Sequence, residues 1–239
     1  MERSIRISRL SHLSTATGMA TLVFPILAAL FAVGPTTAGS STILWRAWFV
    51  RNPTGIFMNA LVTIIGISLQ IWFMGVLYRF LLRHKSEMKM WAWIAAGAGI
   101  LASIPLIVNN ILLATVAVQS PPSLTLIGIY IKLGNLAFFQ QLVSVLALVS
   151  VLTGSLVMIH IAGWSRWIGR FGLLGVGIGL LATVILFFVI GILLPLGAPL
   201  WGIWVLSTSI AMTLRPNIIN QHLEPHLKSV DEHQPSPSS

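Results

Sequence analysis

The sequence contains no cysteine and very few charged residues. The absence of cysteine excludes disulfides, thiolate metal sites and cysteine nucleophiles. Charged residues make up 8% of the 239 residues and hydrophobic residues 56%, whereas soluble domains carry roughly a quarter charged residues. The mean hydropathy is +0.92. A chain with so few charges cannot cover a water-facing surface, so we expect most of its surface to face lipid.

Long apolar runs dominate what the sequence does contain. A helix of about 20 apolar residues crosses the hydrocarbon core of a bilayer. Six such runs lie near residues 17–38, 55–78, 91–117, 138–162, 172–194 and 198–213. The sequence therefore predicts an all-α fold, a polytopic transmembrane helix bundle of about six spans within residues 17–213. A basic N-terminal segment (1–16) precedes it, and a polar tail (214–239), too poor in apolar residues to fold alone, follows it.

The basic residues indicate how the chain is threaded. Their formal charge of +9 lies in short clusters between apolar runs, a pattern typical of topology signals and not of a nucleic-acid surface. Eleven fall on one side of a six-span topology: Arg3, Arg6, Arg9, Arg79, Arg83, Lys85, Lys89, Arg166, Arg170, Arg215 and Lys228. Arg46, Arg51 and Lys132 fall on the other side, and all five acidic residues join the larger group. This bias predicts both termini in the cytoplasm, an inner (cytoplasmic) membrane of bacterial type and no nucleic-acid partner.

The first apolar run resembles a signal peptide in its flanks, since basic residues precede it and small residues suitable for cleavage follow it. The run is long for that role. We therefore expect it to remain as an uncleaved membrane anchor.

Two apolar stretches fall between the predicted spans. Residues 41–50 are expected to lie flat on the outer surface, with Trp45 and Trp48 among the lipid headgroups and Arg46 in water. Residues 121–139 are too apolar for an ordinary loop but carry polar and glycine interruptions. They are expected to form an interfacial or a re-entrant helix that leads into the fourth span.

Five amide side chains fall at one depth, near the outer ends of three spans. They are Asn59 in the second span, Asn109 and Asn110 in the third, and Gln140 and Gln141 in the fourth. One interpretation is that they join helices, at about 0.6 kcal/mol each. The other is that they line a small outward-facing pocket for a neutral or weakly polar ligand. The first is favoured because interhelical amides are commoner than pockets.

No catalytic residue, cofactor or metal site is predicted. His160 is the only titratable residue near a span interior, and a paired haem site would need a second buried histidine. Ser155 lies five residues from His160, so the two project from different helix faces and cannot form a nucleophile and base. His222 and His226 have the spacing of a helical metal site, but Pro225 interrupts that helix.

The second half of the chain carries a family resemblance. Residues 165–181, SRWIGRFGLLGVGIGLL, resemble an uncharacterised bacterial family of six-span membrane proteins that is defined only as a domain of unknown function. In that family a short basic loop with a Pro-Arg-Trp-like core leads into a glycine-bearing span. Arg166 and Trp167 fit this pattern, whereas Ser165 stands in place of the proline. The resemblance would cover spans two to six and implies a fold and a membrane location, but no activity.

These observations favour a membrane protein without enzymatic activity. We expect an accessory, structural or regulatory subunit that contacts another membrane protein or a second copy of itself. Glycines that would let helices approach closely are Gly97, Gly99, Gly172, Gly175 and Gly179. The alternative is a carrier or channel for a small neutral or lipidic molecule through the outer amides, uncoupled because no carboxylate lies in a span. An enzyme acting on a lipid ranks third, for lack of a buried acid or base.

Overall fold

A computed structural model of the protein describes residues 16–31, 41–135, 137–161, 163–190 and 197–214. Most of these residues are helical and none of them lies in a strand, so the all-α prediction is confirmed for them. The helices are α1 (Ala20–Phe31), α2 (Thr42–Arg51), α3 (Pro53–His84), α4 (Lys89–Ala117), α5 (Leu124–Asn135), α6 (Ala137–Met158), α7 (Trp164–Ile190) and α8 (Gly197–Leu214). Short 3-10 turns, Thr17–Met19 and Ser86–Met88, precede α1 and α4.

Three helices among the described residues are long and apolar enough to cross a membrane. They are Pro53–His84, Ser86–Ala117 and Gln141–Met158, and they correspond to the second, third and fourth predicted spans. These helices indicate a membrane protein. Helices α7 and α8 overlap the fifth and sixth predicted spans, and α1 overlaps the first. The predicted polar tail beyond residue 214 lies outside the described residues.

Local sequence explains where α3 begins and ends. The Asn52 side chain caps it by accepting a hydrogen bond from the Gly55 main-chain N–H at 3.0 Å, and Pro53 occupies the first helical turn, where no N–H is needed. Arg83 and His84 lie in its last turn, where positive charge interacts favourably with the helix dipole. The helix is therefore longer than the predicted span 55–78 at both ends.

Helix α6 occupies the centre of the bundle. It packs on α4, α7 and α8, while α3 lies between α1 and α4, and α8 also contacts α1. The Ser150 hydroxyl of α6 donates to the Ala95 main-chain oxygen of α4 at 2.7 Å. A Cβ at Gly99 would lie 2.6 Å from Met74 Sδ and 3.2 Å from Ser150 Oγ. Small residues thus hold α3, α4 and α6 close together.

The two short helices α2 and α5 form a second, smaller core at one end of α3 and α4. Trp45 and Phe49 of α2 are buried there beside Ile56 of α3, Val116 of α4 and Ile127 of α5. The prediction that Trp45 lies among lipid headgroups is therefore wrong, because α5 covers that face of α2. Trp45 is only 3% exposed.

Candidate functional site

Two of the asparagines predicted as an outer cluster bind main-chain carbonyls. Asn59 of α3 donates from Nδ2 to the Ala28 oxygen of α1 at 2.7 Å, so this amide joins two helices. Asn110 donates from Nδ2 to the Leu106 oxygen at 2.8 Å, one turn earlier in its own helix. Pro105 lies inside α4 without ending it. In both cases the amide donates a hydrogen bond to a main-chain carbonyl within the bundle, as the packing interpretation expects.

Asn109 instead meets Tyr130 of α5. Burial raises the pKa of the Tyr130 phenol above its usual value of 10.0, and a hydrogen bond with the Asn109 side chain lowers it in part. The Asn109 Oδ1 is buried and finds no hydrogen-bond partner in the described part of the chain. Gln141 is partly buried, and the Gln140 side chain lies outside the described residues. A ligand-binding role for the five amides stays a prediction.

Aromatic rings fill the space around Tyr130. Its ring centroid lies 5.4 Å from that of Trp45 and 6.1 Å from that of Phe49, both in edge-on arrangements that favour aromatic pairs. Trp48 stands edge-on to Trp45 at 5.4 Å. The region nearest the predicted pocket is thus a packed aromatic cluster.

The histidines give no metal centre among the described residues. No group of three His, Cys, Asp or Glu side chains in those ranges could hold a metal ion. His160 is exposed, and its Nδ1 lies 2.8 Å from the Leu156 main-chain oxygen of the preceding turn. His222 and His226 lie outside the described residues.

A large cavity lies elsewhere, between α7 and α8. This groove, which we call the α7–α8 groove, has a volume of about 720 Å³. Its walls are mainly Trp164, Ile168 and Phe171 of α7, Ile203 and Trp204 of α8, and Val151 of α6. Phe171 is 67% exposed and Ile203 57% exposed, so the groove opens on the surface of the bundle. The volume falls within the range of about 300–1,000 Å³ typical of ligand sites.

Two glycines of α7 line the groove. Gly172 and Gly175 line it and present no side chain, so the larger residues of α8 form the opposite wall. A Cβ at Gly172 would lie 2.9 Å from Trp204 Nε1, and closer still to Ser155 Oγ of α6. Both polar atoms are buried and without a hydrogen-bond partner in the described residues. The groove therefore presents the apolar ring of Trp204, with its N–H directed into the protein.

Arg166 lines a cavity beside this groove, and Arg170, one helical turn further along α7, lines neither of the two cavities. A second cavity of about 560 Å³ is lined by Gly163, Trp164, Arg166, Trp167 and Phe171. It shares Trp164 and Phe171 with the α7–α8 groove, so the two spaces adjoin. The Arg170 guanidinium stands 5.3 Å from the Trp167 ring centroid, a cation–π distance. We call this second cavity, together with Arg170, the basic mouth.

The glycines predicted to face partner helices are used largely within the chain. Gly99 faces α3 and α6, Gly172 faces Ser155 and Trp204, and a Cβ at Gly179 would lie 2.5 Å from Leu200 Cδ1. Sequence reasoning identified these small residues but assigned them to another protein. It missed the groove because the groove depends on which faces of α7 and α8 meet. The spacing of Gly172, Gly175 and Gly179 opposite bulky α8 residues was the available signal.

Comparison with known proteins adds no relative. No protein-family model, curated protein or solved structure matches the chain. The family resemblance of residues 165–181 therefore stays a prediction.

Proposed function

We propose that this protein is a membrane protein without enzymatic activity that binds an elongated apolar or amphiphilic molecule in the α7–α8 groove. The observation that carries this proposal is the groove itself, about 720 Å³ of space with apolar walls. An accessory or carrier role for a lipidic molecule is compatible with such a site. It differs from the outer-amide route because the space lies beside α7 and α8, away from Asn59 and Asn110.

Filling the groove from one glycine tests this proposal. A Cβ at Gly175 would meet only Leu200 Cδ2, at 3.6 Å, so Gly175→Leu should place its side chain in the groove without displacing the backbone. Gly177 is the matched control: it lies on the same helix, is exposed, and has open space around it. We expect native mass spectrometry in mild detergent to find lipids retained by the wild type and by Gly177→Leu, and lost from Gly175→Leu. Equal retention by all three proteins would contradict the proposal.

The proposal includes six spans with both termini in the cytoplasm of a bacterial-type inner membrane. The eleven-to-three division of basic residues supports this threading. Because the chain lacks cysteine, single substitutions report accessibility without background. A membrane-impermeant maleimide should label Thr42→Cys on intact spheroplasts, and Ser86→Cys only after permeabilisation. The opposite labelling would refute the orientation.

A second candidate function is a subunit that packs against another membrane helix. Five exposed side chains favour it: Trp167, Phe171, Leu174, Ile178 and Leu181. They recur along α7 at alternating spacings of four and three residues, the period of helices that pack together. Under this proposal the purified protein should carry a second protein chain in a fixed ratio. The double variant Leu174→Ala, Ile178→Ala should release that chain. Gly175→Leu should not change the amount of co-purified lipid, because under this proposal the α7–α8 groove holds no lipid.

A further inference from the structure

We infer that the occupant of the α7–α8 groove is an anionic glycerophospholipid, with its phosphate at Arg166 and Arg170 and one acyl chain along the groove. This inference rests on the proposed function, since it names the class of molecule that the groove binds. It adds a headgroup site at the basic mouth.

The two arginines are placed to act together. They lie four residues apart on α7, so they are separated by about 6 Å along the axis and project from nearly the same face. Both side chains are exposed. The guanidinium of Arg170 rests against the Trp167 ring, which restricts where it points. Guanidinium groups bind phosphate through two parallel hydrogen bonds, so this pair suits a phosphate in particular.

The surroundings of the arginines reinforce the positive potential. Helix α7 begins at Trp164, and its first turn contains no acidic residue. The positive end of the helix dipole therefore lies beside Arg166 without an opposing carboxylate from that turn. A phosphate here would gain from both the guanidinium groups and the helix end.

The basic mouth continues directly into apolar space. Trp164 and Phe171 line both cavities, so a molecule bound to the arginines can extend past these rings into the groove. In the proposed orientation the mouth lies at the cytoplasmic surface, where anionic lipids attract basic residues at about 1 kcal/mol each, or roughly fivefold in binding per arginine. A zwitterionic lipid carries its own cation and gains less.

The test compares two lipids that differ only in headgroup. Purified protein in mild detergent is mixed with equal amounts of phosphatidylglycerol and phosphatidylcholine of identical acyl chains, and bound lipid is counted by native mass spectrometry. The wild type should prefer phosphatidylglycerol. The double variant Arg166→Gln, Arg170→Gln should lose most of that preference, at about fivefold per arginine. The matched control is Arg79→Gln, Arg83→Gln, which removes two exposed arginines of equal spacing on α3 and should keep the preference.

The outcomes separate this inference from the function on which it rests. If the wild type binds both lipids equally and Gly175→Leu binds neither, the groove binds lipid but the headgroup assignment is wrong. If both arginine pairs reduce the preference alike, the effect reflects net charge and the basic mouth is not a site. If glycerol phosphate without acyl chains displaces the lipid at equal concentration, a free phosphate compound is the ligand and the lipid assignment fails. A second protein chain in place of lipid would overturn both proposals.

Discussion

Replacement of Gly169 by alanine should separate α6 from α7. A Cβ at this position would lie 2.8 Å from the Ile159 main-chain nitrogen and 2.8 Å from the Ser155 main-chain oxygen. These two atoms are joined by a hydrogen bond of 3.0 Å in the turn that ends α6. Because both belong to the backbone, no side-chain rotation can relieve the contact.

The expected cost follows from this geometry. Carbon contacts are favourable at about 3.5–4.0 Å, so the two helices would have to move apart by roughly 0.5–1 Å. Overpacking of this kind costs about 1–3 kcal/mol. Alanine gains about 1 kcal/mol over glycine inside a helix, which offsets part of the cost. Gly169→Ala should therefore lower the free energy of unfolding by about 0–2 kcal/mol.

Gly177→Ala provides the matched comparison on the same helix. A Cβ at Gly177 meets nothing within 4 Å, so this variant keeps the helix gain without the contact. We expect it to be more stable than Gly169→Ala by about 1–3 kcal/mol. Unfolding by sodium dodecyl sulfate in mixed micelles, followed by tryptophan fluorescence, measures both. Equal stability of the two variants would show that α6 and α7 do not approach through Gly169.

Three further changes probe the end of the bundle where α2 and α5 pack on α3 and α4. Asn59→Ala removes a bond between helices and should cost about 0.6–1.7 kcal/mol, more than Asn110→Ala, whose bond lies within one helix; detergent unfolding compares them. Trp45→Ala should cost about 3–5 kcal/mol and Trp48→Ala less, because only the first ring is fully buried; the same assay decides. Since the folded state raises the Tyr130 pKa, the contribution of Tyr130 to the unfolding free energy should be constant below about pH 10 and fall as pH rises through that raised pKa. Tyr130→Phe should weaken this fall, measured by unfolding between pH 8 and 11.

That α3, α4 and α6 are long and apolar enough to cross a membrane was predictable, because this property depends on composition within each segment. An apolar run of sufficient length has few alternatives to a helix in lipid, where unpaired backbone groups cost several kcal/mol each. The burial of Trp45 was not predictable in the same way. It requires α5 to pack on α2, and these helices are separated in sequence by the whole of α3 and α4.

The partners of the amides also escaped prediction for a physical reason. The depth of Asn59 along its span follows from residue count, but the direction of its side chain depends on how α3 is rotated against α1. One acceptor of its Nδ2 group is the Ala28 oxygen at 2.7 Å, a backbone group that every residue offers and that no motif marks. The acceptor of Asn110 is likewise a main-chain oxygen, that of Leu106 in the preceding turn of α4, and no motif marks it either.

The arginines of the basic mouth bear on two separate questions, the orientation of the chain in the membrane and the position of a binding site. Arg166 and Arg170 entered the sequence argument only as counts on one side of the membrane. That rule uses the number of charges near a span end and ignores their position around the helix. The structure shows that Arg166 lines a cavity beside the α7–α8 groove and that Arg170 stands against Trp167, which lines the same cavity, whereas Arg79 and Arg83, with the same spacing, line neither cavity.

The solvent decides which part of this site can be selective. In water an apolar groove attracts any apolar ligand, because burial removes apolar surface from water. In a bilayer the surrounding chains are as apolar as the groove, so an acyl chain gains only packing contacts when it enters. The α7–α8 groove can therefore discriminate between acyl chains by their shape, but it adds little to the free energy of binding. Under the inference of a phospholipid ligand, hydrocarbon offers no match for the charge of the basic mouth, so we expect Arg166 and Arg170 to distinguish one lipid headgroup from another. Removing them should change which lipid binds, whereas filling the groove at Gly175 should change whether any lipid binds.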